Sequence, residues 1–283
     1  MKRKTPGLAH AFKLFVYLSL LLAMWICLAG CGKINSVFDS IIHPHRSAKN
    51  APAPRPLRPV GSGPRLAIIL DDVAGDDSAA SVDGIFALHY PVTLSILPNH
   101  PHSTQMAQQA HRRGYQVMLH LPMAAVGNEI PESRELRPGM STGEISSELN
   151  GMLQSVPFAA GVNNHQGSLA TSDAPLMNEL MRVLRGRNLF FIDSRTTAAT
   201  VAFDTARSNG VRTAFRNVPF LDDLREVPAI RHQLALAFKD AREKGDAIAI
   251  GHAHPETLRA LTEMLPAAQA DGIRLVQVSD LVH

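Results

Sequence analysis

The chain has 283 residues, a formal net charge of +3, two cysteines and one tryptophan. Residues 1–31 hold four Lys or Arg and no acid, residues 32–64 hold five against Asp39 alone, and residues 65–283 keep 19 basic and 24 acidic residues, a net −5. The basic footprint of a nucleic-acid binder is therefore excluded from that last stretch. Both cysteines, Cys27 and Cys31, precede it, which also excludes disulfides, a thiolate zinc site and a cysteine nucleophile there.

Lys2, Arg3, Lys4 and Lys13 form a basic N-terminal region, and Leu14 to Leu28 is a 15-residue run without charge. A membrane-spanning helix needs about 20 apolar residues, so the run suits a signal peptide. It ends in Leu28-Ala29-Gly30-Cys31, which resembles the lipobox of bacterial lipoproteins. The resemblance implies lipidation at Cys31 and, with Gly32 rather than Asp next, the periplasmic face of the outer membrane. An uncleaved anchor is the alternative, and either exports the rest of the chain. Residues 32–64 include Pro52, Pro54, Pro56, Pro59 and Pro64 with Gly61 and Gly63, a composition that makes a tether and no core. As a coil it spans roughly 30 Å.

Residues 65–283 are long enough for one domain. Apolar runs and amphipathic stretches alternate along it. Strand Leu66–Leu70 precedes a helix near Ser78–Leu88, strand Val92–Leu97 a helix near Ser103–Arg113, and strand Gln116–Leu119 a long connection. Ser141-Thr142-Gly143-Glu144 is a capping box that starts the next helix. Further strands are predicted at Ala160–Val162, Leu189–Ile192, Val211–Phe215, Ala247–Ile250 and Arg274–Val278. Helices are predicted near Ala174–Arg185, Val201–Ser208, Ile230–Glu243 and Pro255–Leu265. Such alternation predicts a parallel sheet covered by helices, either a barrel or an open doubly wound sheet. In both, ligands bind at the carboxyl ends of the strands.

Polar groups gather at those ends. Asp71-Asp72 closes the first strand, His120 the third, and Asn163-Asn164-His165-Gln166-Gly167-Ser168 the fourth. Asp193-Ser194-Arg195-Thr196 closes the fifth, and Gly251-His252 the strand Ala247–Ile250. Adjacent carboxylates after five apolar residues are costly unless a metal or a proton uses their charge. Asp222-Asp223 fits a solvated loop as well as a site. His89, His100, His102, His111, His232 and His283 fall where solvated or packing roles are expected, and His254 where a helix begins.

Taken together, Asp71-Asp72, His120-Leu121-Pro122-Met123, Asn164 to Ser168, Asp193 to Thr196 and Gly251-His252 resemble the divergent polysaccharide deacetylase family. The match is in order and spacing along essentially all of residues 65–283. It implies a distorted (β/α) barrel of about seven strands and a divalent metal, Zn²⁺ by its donor set, that serves hydrolysis of acetyl groups on a glycan. By the same resemblance Asp71 is the general base, Asp72 a metal ligand and His252 the general acid. The His-x-x-x-His pair of the better-known metal-dependent deacetylases is missing, since Ala124 stands four residues after His120. His120 and His165 are the expected imidazole ligands. Asn164 or Ser168 would orient the sugar or the oxyanion, and Asp193 and Arg195 would support the base. The expected partners are an envelope glycan and, through Cys31, the membrane. A catalytically idle glycan-binding or scaffolding lipoprotein is the competing expectation.

Overall fold

The computed structural model describes residues 63–283 apart from 76–78, 128–129 and 131. Cys31, the signal segment and nearly all of the tether lie outside the described residues. In chain order the elements are β1 (Arg65–Val73), α1 (Ala79–Ala87), β2 (Thr93–Ile96), α2 (Ser103–Arg112), β3 (Gln116–Met123) and α3 (Thr142–Ser155). Next come β4 (Ala159–Gln166), α4 (Ala174–Gly186), β5 (Phe190–Asp193), α5 (Ala202–Ser208) and β6 (Thr213–Phe215). α6 (Val227–Lys244), β7 (Asp246–His252), α7 (Pro255–Ala270) and β8 (Arg274–Val276) complete the domain.

The strands run in the order β6-β5-β4-β3-β2-β1-β7, with β8 against Arg65 to Ala67 of β1. Their pairings are parallel. The sheet curls into a nearly closed barrel, and the chain after β6 bridges the seam to β7. There Asn217 N–H donates to the Ile248 carbonyl at 2.9 Å, and Asn217 Oδ1 accepts from Ile248 N–H at 2.7 Å. Leu221 N–H reaches the Ile250 carbonyl at 2.9 Å.

Alternation along the strands separates two apolar layers. Ala67, Ile69, Met118, Phe190, Ile192, Ile248 and Ile250 face one another and fill the barrel. Leu66, Ile68, Leu70, Val117, Leu119, Leu121 and Phe191 face outward and pack with the buried faces of the helices, such as Leu180 and Leu184 of α4. Local chemistry sets the helix ends. Ser141 and Glu144 form a reciprocal capping box on α3, and Asp173 accepts from Leu176 N–H to start α4. α6 ends at Gly245, whose φ of 90° is left-handed.

β1, β3, β4 and α7 run past their expected bounds. β1 continues through Asp71-Asp72 because its pairing with β7 extends to Asp71↔His252. β3 and β4 continue together, pairing His120↔Asn163 through Met123↔Gln166, so polar residues lie within the ladder and not after it. α7 passes Pro266, which removes one backbone donor, while Leu265 and Ala268 on either side stay buried. Near the C-terminus β8 is shorter than expected, and Val278–Asp280 forms a 3₁₀ turn.

Gly161 marks the tightest point of the barrel interior. A Cβ there would lie 2.4 Å from the Phe190 ring, so only glycine lets that ring fill the centre. Gly161→Ala is expected to cost about 1–3 kcal/mol as an overpacking change. Pairing it with Phe190→Leu should recover part of that loss. Denaturant unfolding midpoints of the single and double variants check this; a simple sum of the two losses would contradict it.

Candidate active site

The parity that fills the barrel also builds the site. Continuing inward from Ala67 and Ile69 brings Asp71, and from Met118 it brings His120. From Gly161 it brings Asn163 and His165, and from Ile248 and Ile250 it brings His252. Asp72 should point the other way. A register shift between Leu70 and Val73, with Asp72 at a left-handed φ of 57°, turns its carboxylate into the same cavity as Asp71.

Asp72 and two imidazoles form the centre. Asp72 Oδ1 lies 3.1 Å from His120 Nε2 and 3.0 Å from His165 Nδ1. It is nonetheless a buried oxygen without a hydrogen bond. Burial pushes the Asp72 carboxyl up, but the imidazoles of His120 and His165 outweigh that and hold it well below the usual carboxylate range. One anionic oxygen flanked by two imidazole nitrogens is a donor set that suits a divalent cation with a position left for water.

Asp71 is 1 % exposed and lies behind this centre, its Oδ2 3.6 Å from His120 Nε2. Burial raises its pKa, with Asp72 adding to the rise, while His120, His252 and Asn163 act against it. Asn163 is the hub. Its Nδ2 donates to both Asp71 oxygens at 3.0 and 3.2 Å and to Ser194 Oγ at 3.1 Å. Its Oδ1 accepts from His120 Nδ1 at 3.2 Å and from Ser95 Oγ. That contact places the His120 proton on Nδ1 and leaves Nε2 toward Asp72. Burial pushes His120 down, and the carboxylates of Asp71 and Asp72 more than offset it, so its pKa is raised.

His252 stands across the cavity, with Nε2 3.7 Å from Asp72 Oδ2. Its Nδ1 is 2.9 Å from Asp222 Oδ1, and its backbone N–H donates to Asp222 Oδ2 at 2.7 Å. Thr257 Oγ1 completes the carboxylate's bonds at 2.7 Å. Burial pushes the His252 imidazole down, but Asp222 overrides it and brings the pKa up to about 9. Of the two readings left open for Asp222-Asp223, the site holds for Asp222, which is buried because His252 and Thr257 satisfy it. Asp222, His252 and His254 also lie close together, but the oxygens of Asp222 are already engaged.

The remaining sequence candidates sit outside the cavity of about 380 Å³. Asn164 has the opposite parity to Asn163. Its Oδ1 accepts from Ser194 N–H at 2.9 Å, and its Nδ2 bonds the Gln166 carbonyl at 2.8 Å. Ser168 Oγ accepts from Val126 N–H at 2.9 Å. Asp193 accepts from Arg195 N–H and Thr200 Oγ1, and the Arg195 guanidinium stacks on Phe215 at 3.6 Å. These four residues shape the loops behind the site. Arg216 binds the carbonyls of Ser194, Arg195 and Val218 in the same region.

Sequence reasoning missed Asn163, Glu132, Arg225 and the placement of His100 and His254. All but Asn163 line the cavity. Asn163 was legible in principle, since β-parity puts it with His165 and not with Asn164. His100 was expected to be solvated or packed, yet it lines the cavity on the loop after β2.

A parallel α/β barrel with an Asp-Asp pair, two imidazoles and a carboxylate-supported histidine at its strand ends defines a polysaccharide deacetylase-like class. The pattern described as "Divergent polysaccharide deacetylase" matches residues 68–282, and the chain belongs to that family. It is 39% identical over 225 residues to the uncharacterized protein YibQ of Escherichia coli K12, covering 80% of this chain and 69% of that protein. The crystal structure of uncharacterized protein ATU2773 from Agrobacterium tumefaciens superimposes with a TM-score of 0.73 at 24% identity, over 78% of this chain and 90% of that one. A CE4 family pseudoenzyme from Bacillus anthracis, BA3943, shares the fold at a TM-score of 0.51 and 11% identity, over 81% and 69% of the two chains.

The raised His252 pKa means that the folded state holds this proton more tightly than the unfolded chain. The stability it contributes is fully present below 6.5 and is lost as pH rises through about 9. Denaturant midpoints should therefore decline across that window, and Asp222→Asn should flatten the decline. An unchanged slope in the variant would separate His252 from Asp222.

Proposed function

We propose that the protein is a metal-dependent hydrolase that removes acetyl groups from an envelope glycan, with peptidoglycan or its fragments as the substrate. One observation carries the reading: the unbonded Asp72 Oδ1 lies between His120 Nε2 and His165 Nδ1, with Asp71 and His252 at the same centre. Asp72, His120 and His165 would hold the metal, and Zn²⁺ suits their donor set. When bound, such an ion lowers the pKa of a coordinated water and polarises the acyl carbonyl. Asp71, oriented by Asn163, takes the proton from the attacking water. His252, charged by Asp222, gives a proton to the leaving nitrogen or oxygen as the acyl bond breaks. The products are acetate and a free amine or hydroxyl.

Glycan as substrate class is supported by family membership, and envelope location by the signal segment ending at Cys31. With the domain at the periplasmic face of the outer membrane, the tether of residues 32–64 lets it reach polymer beside its membrane.

Two sets of variants test the reading. Asp72→Ala, His120→Ala and His165→Ala should each lose most of the bound metal, since each removes one of three protein ligands. Asp71→Asn and His252→Ala should keep the metal, while acetate release from acetylated glycan falls by roughly 10²- to 10⁴-fold. Metal retained in all three ligand variants would refute the site. Stoichiometric metal without release from acetylated substrates would instead favour the idle glycan-binding lipoprotein.

The expected export has its own check. Cys31→Ser should leave an unprocessed precursor that incorporates no labelled fatty acid; normal labelling of that variant would rule out lipidation at this cysteine.

A further inference from the structure

The two imidazoles of the centre are oriented in different ways. His120 presents Nε2 to Asp72 and is fixed from behind by Asn163. His165 presents Nδ1, 3.0 Å from Asp72 Oδ1, and so turns Nε2 away from the centre. That Nε2 lies 3.9 Å from Glu132 Oε1, and the other Glu132 oxygen lies 3.6 Å from His100 Nε2. The contact is electrostatic, about 1 Å longer than a hydrogen bond.

Glu132 does not stand there on a free loop. The connection between β3 and α3 is pinned where Ala124 N–H donates to the Leu136 carbonyl and Leu136 N–H to the Pro122 carbonyl, both at 2.9 Å. Gln166, the residue after His165, donates from Nε2 to the Ile130 carbonyl at 3.2 Å. The chain segment carrying Glu132 is thus bonded to both strands that supply the imidazoles. Glu132 and His165 are each only partly exposed, with side-chain exposures of 28% and 16%.

We infer that Glu132 is a positioning residue for His165: its carboxylate favours the proton on Nε2 and frees the Nδ1 lone pair for the metal, with His100 holding the far side of that carboxylate. A metal-bound histidine whose other nitrogen faces a carboxylate is held in one tautomer and becomes a better donor. Glu132 lies on the far side of the His165 ring from Asp72, so it acts through the imidazole and is not itself a ligand. The inference rests on the metal site proposed above.

The test reads metal binding, not turnover. Zn²⁺ affinity is measured by competition with a chelating indicator for the wild type, Glu132→Gln, Glu132→Ala and Glu135→Gln. Glu135 is three residues further along the same connection and pairs with Arg137, so it serves as the control. Both Glu132 variants should bind Zn²⁺ about 10- to 100-fold more weakly, and the control should match the wild type. Melting temperatures of the metal-free proteins should agree. Imidazole nitrogen NMR of the zinc-loaded wild type should place the His165 proton on Nε2. Unchanged affinity in both Glu132 variants would overturn the inference, as would an equal loss in Glu135→Gln or a parallel fall in metal-free melting temperature. A wild type that binds zinc but releases no acetate would defeat the functional reading and leave this one intact. A wild type that binds no zinc would defeat both.

Discussion

Two adjacent carboxylates, Asp71 buried and Asp72 half-buried, close a strand after five apolar residues, and the rest of the site is arranged to make that tolerable. An unpaired carboxylate in such surroundings would protonate or pull its strand apart. Asn163 gives Asp71 two hydrogen bonds without adding charge, and His120 lies between both carboxylates. His165 and His252 bring further positive or neutral nitrogen to Asp72. Asp72 Oδ1 still lacks a hydrogen bond. That oxygen, flanked by two imidazole nitrogens, is the atom of the site with room for a further positive partner.

The same residues divide into opposed electrostatic environments. Asp71 is driven up by burial, whereas Asp222 is held down, chiefly by His252 overriding its own burial. His252 in turn is raised by that partner. A buried acceptor with a raised pKa on one side and a carboxylate-supported imidazole on the other is a division suited to moving one proton in and one out. Both depend on their supporting residues, Asn163 and Asp222, as much as on themselves.

Strand parity decides how much of this was legible. The barrel and most strand positions are visible because apolar runs alternate with amphipathic stretches. Asp71, Asp72, His120, His165 and His252 stand out because charge at the end of an apolar run is unusual. The ends of β3 and β4 are obscured by polar residues that continue the ladder, so the sequence points to Asn164 although it is Asn163 that faces the site. Asp222 and Glu132 lie outside the strands, where no periodicity reports direction. Asp222 reads equally as a loop acid or a site residue until the bridge from β6 to β7 brings it under His252. His100 is likewise brought to the cavity by tertiary contact alone.

The position of β1 has a consequence for how the domain comes into being. It is the first strand of the domain, yet besides its neighbour β2 it pairs with β7 from Arg65 to Asp71 and with β8 from Arg65 to Ala67. β7 and β8 are separated from it by nearly the whole domain, and such non-local pairing makes for slow folding. Until the last strands have emerged, the carboxylates of Asp71 and Asp72 have neither His252 beside them nor a finished wall behind them. The centre is accordingly complete only once β7 is in place, and a polypeptide interrupted before it would carry the acids with Asn163, His120 and His165 but without His252.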